Sequence, residues 1–330
     1  MNATSISLIP PGTGGVRDYA SVLGKPFRSP LLEFTRDTDT SKLSGDFALL
    51  HFSGYGFQTR GVPAWLVGQV RTLRSRFETV GIVFHELFAT GPIWGSAFWL
   101  NGLQKRIARE LARSCDFWLT NRDESARWLL EQGQSAPHRV LPVFSNVGEP
   151  DSVDGPRAPR IVVFGSAAVR RNVYEWADGE IFRAARRIGL EIHDIGPSLG
   201  EGPLAQRLAD EKAVSHGKLP VEAVSRALSG AAYGALAYPT DYVSKSSVFA
   251  AYTAHGLCPV LLAPDYASHD GLRPNVHYAA GFESLAPSCI DARGVGRAAR
   301  LWYEPHCIEA HVGALRTLVA DTRRAEMASS

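Results

Sequence analysis

The sequence alternates short apolar runs with longer segments of helical periodicity, and it does so in two series. The first series ends at Val143 and the second starts at Arg160. Residues 148–156, between them, are polar and rich in turn-forming residues, which is typical of a linker. Alternating strands and helices favour parallel sheets covered by helices. The pattern therefore predicts an α/β protein of two domains, residues 1–150 and 157–330.

Hydrophobic periodicity separates the strands from the helices within each series. The predicted strands are residues 6–9, 30–34, 47–52, 80–84, 117–120, 140–143, 160–164, 191–195, 233–238 and 258–262. The predicted helices are residues 16–23, 63–77, 97–113, 124–132, 174–188, 221–228 and 247–254. Two Rossmann-like domains facing a cleft are the natural architecture for this repeat. Such sheets bind ligands at the carboxyl ends of their strands, so residues just after strands are candidates for a site.

Composition excludes several classes of protein. An apolar share of 45% and a charged share of 21% are ordinary for a soluble globular protein. The 35 basic and 33 acidic residues balance to +2, so a nucleic-acid partner is not expected. The 4 cysteines form no CxxC pair, which argues against a metal site or a disulfide framework. No secretory signal or continuous membrane span is visible, so a cytoplasmic protein is expected.

A glycine-rich turn follows the first predicted strand and precedes a helix. Gly12, Gly14 and Gly15 would let a ligand approach the backbone, and the helix N-terminus offers N–H groups to an anion. The run is an incomplete dinucleotide fingerprint, because Arg17 stands where the third glycine belongs, although Glu33 lies where a ribose-binding acid is expected. An NAD-type oxidoreductase is therefore one alternative. A tight turn that binds nothing is another.

His85 and Glu86 end a predicted central strand. An imidazole beside a carboxylate at a strand end can serve acid–base chemistry or hydrogen-bond a sugar hydroxyl. A structural histidine satisfied by its neighbours fits this position equally well. His51 also ends a strand and is a weaker candidate.

Basic and hydroxyl side chains follow two strands of the second series. Arg170 and Arg171 come shortly after a Gly165–Ser166 turn, and the run from Tyr238 to Ser247 opens another helix. Cations and helix N-termini gathered at strand ends suit a diphosphate. The predicted diphosphate-binding residues of this half are Ser166, Arg170, Arg171, Lys245, Ser246 and Ser247. A solvated loop with ordinary helix caps is the alternative.

With these motifs the chain resembles the GT-B glycosyltransferases, and among them the retaining family 4. The resemblance rests on the Gly14-Gly15-Val16 turn, Phe84-His85-Glu86, the turn at 120–125, the strand–helix unit at 216–232 and an A-x-G-x-P-V segment at 254–260. It implies transfer of a sugar from a nucleotide-diphosphate sugar to an acceptor hydroxyl with retention of configuration, in polysaccharide or glycoconjugate synthesis. It also implies that the reaction needs no metal and no cofactor besides the nucleotide-sugar co-substrate.

The resemblance further implies roles for the candidate residues. His85 is expected to contact the transferred sugar or the acceptor hydroxyl, with Glu86 orienting it. Gly14 and Gly15 are expected to allow close approach near the diphosphate or the acceptor. The expected contacts of the acceptor or sugar are Asn121, Asp241 and Tyr242.

One departure concerns two glutamates that members of the family carry around the donor loop. Their places are taken here by Val243 and Ala251. Lys245, Ser246 and Ser247 are predicted to take over phosphate binding. A nucleotide-sugar epimerase or hydrolase on the same scaffold, or a non-catalytic nucleotide- or sugar-binding relative, are therefore alternatives.

The acceptor side carries an aromatic segment, residues 92–100, followed by Lys105 and Arg106. An interfacial helix near a lipid-linked acceptor, at the inner face of a membrane, is one interpretation. A core-packing helix with its basic side chains in water is favoured, because aromatic stripes on helices are usually buried. The expected partners are a nucleotide-sugar donor and a glycan or lipid-linked acceptor.

Overall fold

The computed structural model describes residues 5–89, 96–285 and 290–329. Its strands are β1 (Ser5–Ile9), β2 (Leu31–Glu33), β3 (Gly45–Ser53), β4 (Phe77–Glu86), β5 (Phe117–Thr120), β6 (His138–Val140), β7 (Ala158–Phe164), β8 (Glu191–Ile195), β9 (Val214–Gly217), β10 (Ala231–Ala237), β11 (Cys258–Leu262) and β12 (Ala279–Ala280). Its helices are α1 (Gly15–Gly24), α2 (Gly54–Phe57), α3 (Trp65–Arg74), α4 (Ser96–Arg113), α5 (Asp123–Glu131), α6 (Ala167–Glu175), α7 (Glu180–Ile188), α8 (Pro203–Asp210), α9 (Val221–Ser229), α10 (Ser247–Ala254), α11 (Ala292–Tyr303) and α12 (Ile308–Ser329). Short 3₁₀ helices lie at Lys25–Phe27, Thr40–Lys42, Trp176–Asp178, Thr240–Lys245, Phe282–Leu285 and Glu304–His306.

The chain forms two compact units. Unit 1 comprises two segments, the chain up to Pro142 and the chain from Ile308 onward, and unit 2 comprises Val143–Cys307. The predicted linker at 148–156 therefore lies inside unit 2, and the second domain does not run to residue 330. Helix α12 instead packs against α1, β4 and β5. Its buried apolar side chains include Val312, Leu315 and Leu318.

Unit 1 is built on a parallel sheet of six strands in the order β2-β1-β3-β4-β5-β6. The central strands are apolar along nearly their whole length because helices cover both faces. Leu50 on β3, Ile82 on β4 and Leu111 on α4 belong to one buried cluster. The strand order reverses between β1 and β3, and the loops after these two strands are where such a sheet accepts a ligand.

Unit 2 also contains a six-stranded parallel sheet, in the order β12-β11-β10-β7-β8-β9. This is the strand order of a dinucleotide-binding Rossmann fold, with the reversal between β7 and β10. Every residue of β11 is buried. The predicted α/β class with two parallel sheets is confirmed.

The predicted single helix at 174–188 is wrong. The structure shows α6 ending at Glu175 and α7 starting at Glu180. Between them Ala177, Asp178 and Gly179 all have positive φ angles, of 44°, 52° and 72°. A left-handed backbone breaks a helix, and glycine adopts it at least cost. Elements β12, α2, α8, α11 and α12 were not predicted.

No helix in the described ranges is long and apolar enough to cross a membrane.

Candidate functional site

In unit 1 the glycine turn after β1 is open. Gly12 and Gly14 have φ angles of 97° and 140°, a region that other residues rarely adopt. A Cβ atom built at Gly12, Gly14 or Gly15 would meet no heavy atom within 4 Å. Arg17 closes one side of the turn, because its Nε donates to the Gly12 carbonyl at 2.6 Å and its guanidinium pairs with Glu33. The carboxylate expected to hold a ribose in an NAD-type enzyme is thus ion-paired.

His85 lies at the end of β4 with its side chain against that of His51 on β3. The two strands pair so that His51 is opposite Val83, two residues before His85. Alternate residues of a strand share a face, so both imidazoles lie on the same side of the sheet. His51 Nδ1 and His85 Nε2 are 3.2 Å apart, within hydrogen-bonding distance.

Tyr19, on α1, is the centre of this group. Its ring makes edge contacts with the rings of His85, His51 and His311, at centroid distances of 4.9, 5.9 and 5.8 Å. Its hydroxyl lies beside the side chain of Asn121, which follows β5. We call Tyr19, His51, His85, Asn121 and His311 the histidine cluster. The structure thus brings the predicted residues His85 and Asn121 together.

The histidine cluster is buried. His51 and His311 are 0% exposed, and His85 is 9% exposed. Burial lowers the pKa of His51 to about 3 and raises the pKa of Tyr19 above its ordinary value. His51 and Tyr19 are therefore neutral near pH 7, and they offer hydrogen bonds rather than charge.

The side chain of Glu86 contacts a different neighbour from that of His85. Its carboxylate accepts a hydrogen bond from Ser53 Oγ at 3.2 Å, and its side chain is exposed while that of His85 is buried. The pairing of β3 with β4 shifts register between Phe52 and Ser53, so Ser53 is opposite Glu86 and His85 is left unpaired between them. From the neighbouring strand β3, His51 contacts His85.

In unit 2 the strands β7 and β10 separate toward their carboxyl ends. Their pairing reaches Gly234 opposite Val162. Beyond it the Tyr252 hydroxyl lies 3.1 Å from the Phe164 nitrogen and from the carbonyls of Val162 and Ala235. A Cβ at Gly234 would lie 2.7 Å from the Tyr252 ring, so only glycine fits. Tyr252 therefore holds the two strands apart at the point where the strand order reverses.

Two helix N-termini meet at this reversal. Gly165 after β7 has a φ angle of 129°, and a Cβ there would lie 3.2 Å from Val248 in the first turn of α10. Ser166 caps α6 by accepting from the Val169 N–H at 3.4 Å, and Ser246 caps α10 by accepting from Phe249 at 3.2 Å. Both hydroxyl protons stay available to a ligand. Adjacent helix N-termini with glycine between them are suited to an anion.

Arg170 is not a ligand-binding residue, and the prediction that it faces a diphosphate is wrong. Its side chain is completely buried and ion-paired with Asp194. Its Nε donates to the Gly165 carbonyl at 3.1 Å, and Nη2 donates to Pro197. Asp194 also accepts from the Tyr174 hydroxyl at 2.8 Å. Arg170 therefore supports the Gly165 turn from the interior of unit 2, and its guanidinium does not reach solvent.

The other predicted cations remain at the surface. Arg171 pairs with Glu175 at 3.3 Å and donates to the Leu199 carbonyl at 2.8 Å. Lys245 lies with Nζ 5.2 Å from the centre of the Tyr242 ring, a cation–π contact. Lys245, Asp241, Tyr242 and Ser247 are half-buried around the start of α10. The structure therefore groups Ser166 with this segment and removes Arg170 from it.

The two positions without glutamate belong to the core. Val243 is 1% exposed and Ala251 is 0% exposed, both in one apolar cluster. Carboxylates near this segment come instead from the loop after β11, which sequence reasoning missed. Asp265 accepts from Thr240 at 3.1 Å, and Asp270 accepts from Ser244 at 2.5 Å.

A cavity of about 390 Å³ lies beyond the ends of β8 and β9. Its apolar side comes from α8 and includes Leu208, and its polar side includes Ser198 and Ser215. Gly196 lines it and also abuts the Gly165 turn, since a Cβ there would lie 2.2 Å from the Gly165 carbonyl oxygen. A half-apolar cavity beside a turn that is suited to an anion could hold the base and ribose of a nucleotide.

No group of three or more histidine, cysteine, aspartate or glutamate side chains within residues 5–89, 96–285 and 290–329 is arranged to hold a metal ion. The aromatic segment at 92–100 falls in part outside the described residues, which resume at residue 96. On α4, Trp99 is 74% exposed and Leu103 is 49% exposed. The favoured interpretation of this helix as wholly core-packing is therefore wrong for these two side chains.

Similar folds occur among glycosyltransferases. An α-glucosyltransferase solved with UDP and a 13-mer DNA containing a HMU base has a TM-score of 0.56 at 9% identity, covering 96% of this chain and 99% of that one. AviGT4, involved in avilamycin A biosynthesis, has a TM-score of 0.50 at 15% identity, covering 96% and 98%. A variant of S. aureus TarM solved with UDP and α-GlcNAc-glycerol has a TM-score of 0.52 at 13% identity, covering 83% and 55%.

These likenesses, at low identity, concern the fold. The chain has the GT-B fold predicted from the sequence, with two parallel six-stranded sheets. No protein-family model matches the sequence, and no curated protein matches it.

Proposed function

We propose that this protein is a glycosyltransferase that moves a sugar from a nucleotide-diphosphate sugar to an acceptor hydroxyl. The observation that carries the proposal is the meeting of two helix N-termini at the strand reversal of unit 2, beside a cavity of about 390 Å³. The fold shared with glycosyltransferases supports it.

Unit 2 binds the donor in this proposal. The diphosphate lies against the Gly165 turn, where N–H groups of α6 and α10 and the hydroxyls of Ser166 and Ser246 donate to its oxygens. Lys245 adds a positive charge from the segment before α10. Preorganised donors of this kind stabilise a leaving group as its charge develops, without a metal ion. The cavity beyond β8 and β9 takes the nucleoside.

Unit 1 supplies the groups that contact the transferred sugar or the acceptor. His85 and the open turn at Gly14 and Gly15 lie at carboxyl ends of strands β4 and β1. The bond from the anomeric carbon to the diphosphate oxygen breaks, and the acceptor oxygen forms the new bond on the same face of the sugar. The acceptor proton leaves with the nucleoside diphosphate. Retention of configuration follows from the family 4 resemblance and is part of the proposal.

The proposed acceptor is a glycan or a lipid-linked glycan, in polysaccharide or glycoconjugate synthesis. Trp99 and Leu103 lie one turn apart on α4, with the exposed Arg106 next along that face. Exposed apolar and basic side chains on one helix face suit the surface of an anionic membrane. Co-sedimentation with phosphatidylglycerol vesicles tests this contact, and Leu301→Ala, which removes a 66% exposed leucine from α11, is the control for Trp99→Ala.

DNA is a second acceptor to be tested, since one of the similar structures holds DNA. The net charge of +2 gives this chain little general attraction to a polyanion. We therefore expect no shift of a DNA duplex in a gel at moderate salt. Binding to DNA there would replace the glycan acceptor in the proposal.

Turnover tests the proposed function. Purified protein is incubated with UDP-, GDP- and ADP-sugars, with and without a glycan or lipid-linked acceptor mixture, and the released nucleoside diphosphate and sugar products are measured. Acceptor-dependent release identifies a transferase. Isomerised or hydrolysed donor without an acceptor identifies the epimerase or hydrolase alternative. Nucleotide binding without turnover of any donor identifies a non-catalytic relative.

A further inference from the structure

The pair formed by His51 and His85 has an asymmetry that bears on how His85 works. Their rings are nearly parallel, 22° apart with centroids at 5.5 Å, and His51 Nδ1 is 3.2 Å from His85 Nε2. His51 Nε2 is buried and has no hydrogen-bond partner in the described part of the chain. One nitrogen of His51 therefore faces His85, and the other is enclosed without a hydrogen bond among the described residues.

This asymmetry determines where the proton of His51 lies. A neutral imidazole carries one proton, on either Nδ1 or Nε2. A proton on Nε2 would leave a buried N–H without an acceptor, which proteins tolerate less well than a bare acceptor. The proton therefore belongs on Nδ1, from which it is donated to His85 Nε2. His85 must accept with Nε2 and carries its own proton on Nδ1.

We propose that His51 is a positioning residue that holds His85 in its neutral, Nδ1-protonated form, so that His85 donates a hydrogen bond to the sugar or acceptor. The identity of that hydrogen-bond partner rests on the proposed function, whereas the proton position does not. His85 then works by hydrogen bonding and orientation rather than as a base at Nε2, because the lone pair of that atom is already occupied.

The ring of Tyr19, on α1, packs against His85 at a centroid distance of 4.9 Å, and it also contacts His311 on α12. Glu86 follows on β4 with its carboxylate bonded to Ser53. Protonating His85 at Nε2 would set two N–H groups against each other, unless the proton of His51 moved to its buried Nε2.

Nitrogen-15 NMR of the histidine rings tests the proton positions directly in the full-length wild-type protein without ligand. The expected spectrum shows His85 with a protonated Nδ1 and a bare Nε2 at pH 7, and His51 with a protonated Nδ1. A protonated Nε2 on His85 overturns the proposal, whether or not the protein transfers sugars. Assignment uses the loss of signals in His85→Gln and His51→Asn.

Two variants of His51 test its effect on His85. An asparagine amide can place an N–H near the position of Nδ1, so His51→Asn is expected to keep the His85 tautomer and most of the turnover. His51→Phe removes the donor, and we expect mixed tautomers and a kcat about tenfold lower with an unchanged KM for the donor. An unchanged tautomer and kcat in His51→Phe would overturn the proposal, and the wild-type spectrum decides it if that variant does not fold.

Discussion

The two units place different kinds of group at the ends of their central strands. In unit 1 the strand ends carry His51, His85 and Asn121, which belong to the histidine cluster packed in the interior around Tyr19. In unit 2 the charged side chain of Arg170 is buried beneath the strand ends, and backbone N–H groups with serine hydroxyls face outward. Unit 1 is therefore suited to orienting uncharged hydroxyls, and unit 2 to binding an anion.

The comparison shows that a charge near a strand end does not by itself mark a ligand site. Arg170 donates to Gly165 and Pro197 and pairs with Asp194, so its charge is used to shape the turn. The Gly165 turn then presents backbone N–H groups, which the pattern of side chains in the sequence does not reveal. Substitutions can therefore distinguish residues that support the turn, which should lower stability, from residues that contact the ligand, which should lower affinity.

The largest expected effect is on stability. Arg170→Ala leaves the buried Asp194 carboxylate without its partner, and we expect a loss of about 3–5 kcal/mol in the free energy of unfolding. Its neighbour Arg171 is a matched control, because its ion pair is exposed and Arg171→Ala should cost no more than about 1 kcal/mol. Urea unfolding measures both. Normal stability of Arg170→Ala with weakened nucleotide binding would return Arg170 to the ligand site.

The second effect is the dependence of stability on pH. Burial lowers the pKa of His51 in unit 1 to about 3 and that of His255 in unit 2 to about 4, from an ordinary value of 6.5. The unfolded chain thus binds more protons, and stability is lost as the pH falls below 6.5. Each histidine contributes a slope of about 1.4 kcal/mol per pH unit. Urea unfolding between pH 7.5 and 5 should show a shallower slope for His51→Phe, and an equal slope would place His51 in a solvated setting.

The third effect is on turnover. His85→Ala should lower kcat about a hundredfold and leave nucleotide binding unchanged, because His85 belongs to unit 1. His138→Ala is the control, since His138 lies on the edge strand β6 and stacks on Trp118. Steady-state kinetics with the donor found active measures both variants. A weakened nucleotide affinity in His85→Ala would contradict the assignment of nucleotide binding to unit 2 alone.

The fourth effect is on nucleotide affinity. Gly165→Ala places a Cβ in the crowded turn between α6 and α10, and we expect the affinity for a nucleoside diphosphate to fall about tenfold or more. Gly189→Ala also places an alanine at a positive φ angle, of 70°, but in open space at the end of α7. Equal loss of affinity in both variants would show that strain alone is responsible.

The smallest expected effect belongs to Lys245. Its half-buried ammonium lies next to Tyr242, and Lys245→Ala should weaken diphosphate binding only a few-fold, about 1 kcal/mol. Arg297→Ala, an exposed charge on α11, is the control. Isothermal titration calorimetry at low and moderate salt measures the difference. An unchanged affinity removes Lys245 from the site.

Much of the fold could be predicted from the sequence because the central strands are continuous apolar runs. Strands β5, β8 and β11 and helix α10 have the bounds that periodicity gave them. The return of α12 to unit 1 could not be predicted, because an amphipathic helix does not reveal which sheet it covers. His311, which α12 brings to Tyr19, was missed for that reason.

The candidate site was predictable in position more than in detail. His85, Asn121, Ser166 and Ser246 do lie at strand ends and helix starts, as the alternation predicted. The direction of the Arg170 side chain depends on Asp194, which lies 24 residues away in sequence and one strand over. Tyr252 and Gly234 were missed as well, because a buried hydroxyl between two strands leaves no local pattern.

The proposed function requires above all that a nucleoside diphosphate binds at the strand reversal of unit 2. Calorimetric titration of the wild-type protein with UDP, GDP, ADP and NAD, repeated with Gly165→Ala and Gly189→Ala, tests this directly. We predict that one nucleoside diphosphate binds with one-to-one stoichiometry, that Gly165→Ala binds it at least about tenfold more weakly, and that Gly189→Ala binds it normally. Binding of NAD alone, or a nucleoside-diphosphate affinity unaffected by Gly165→Ala, would contradict the account.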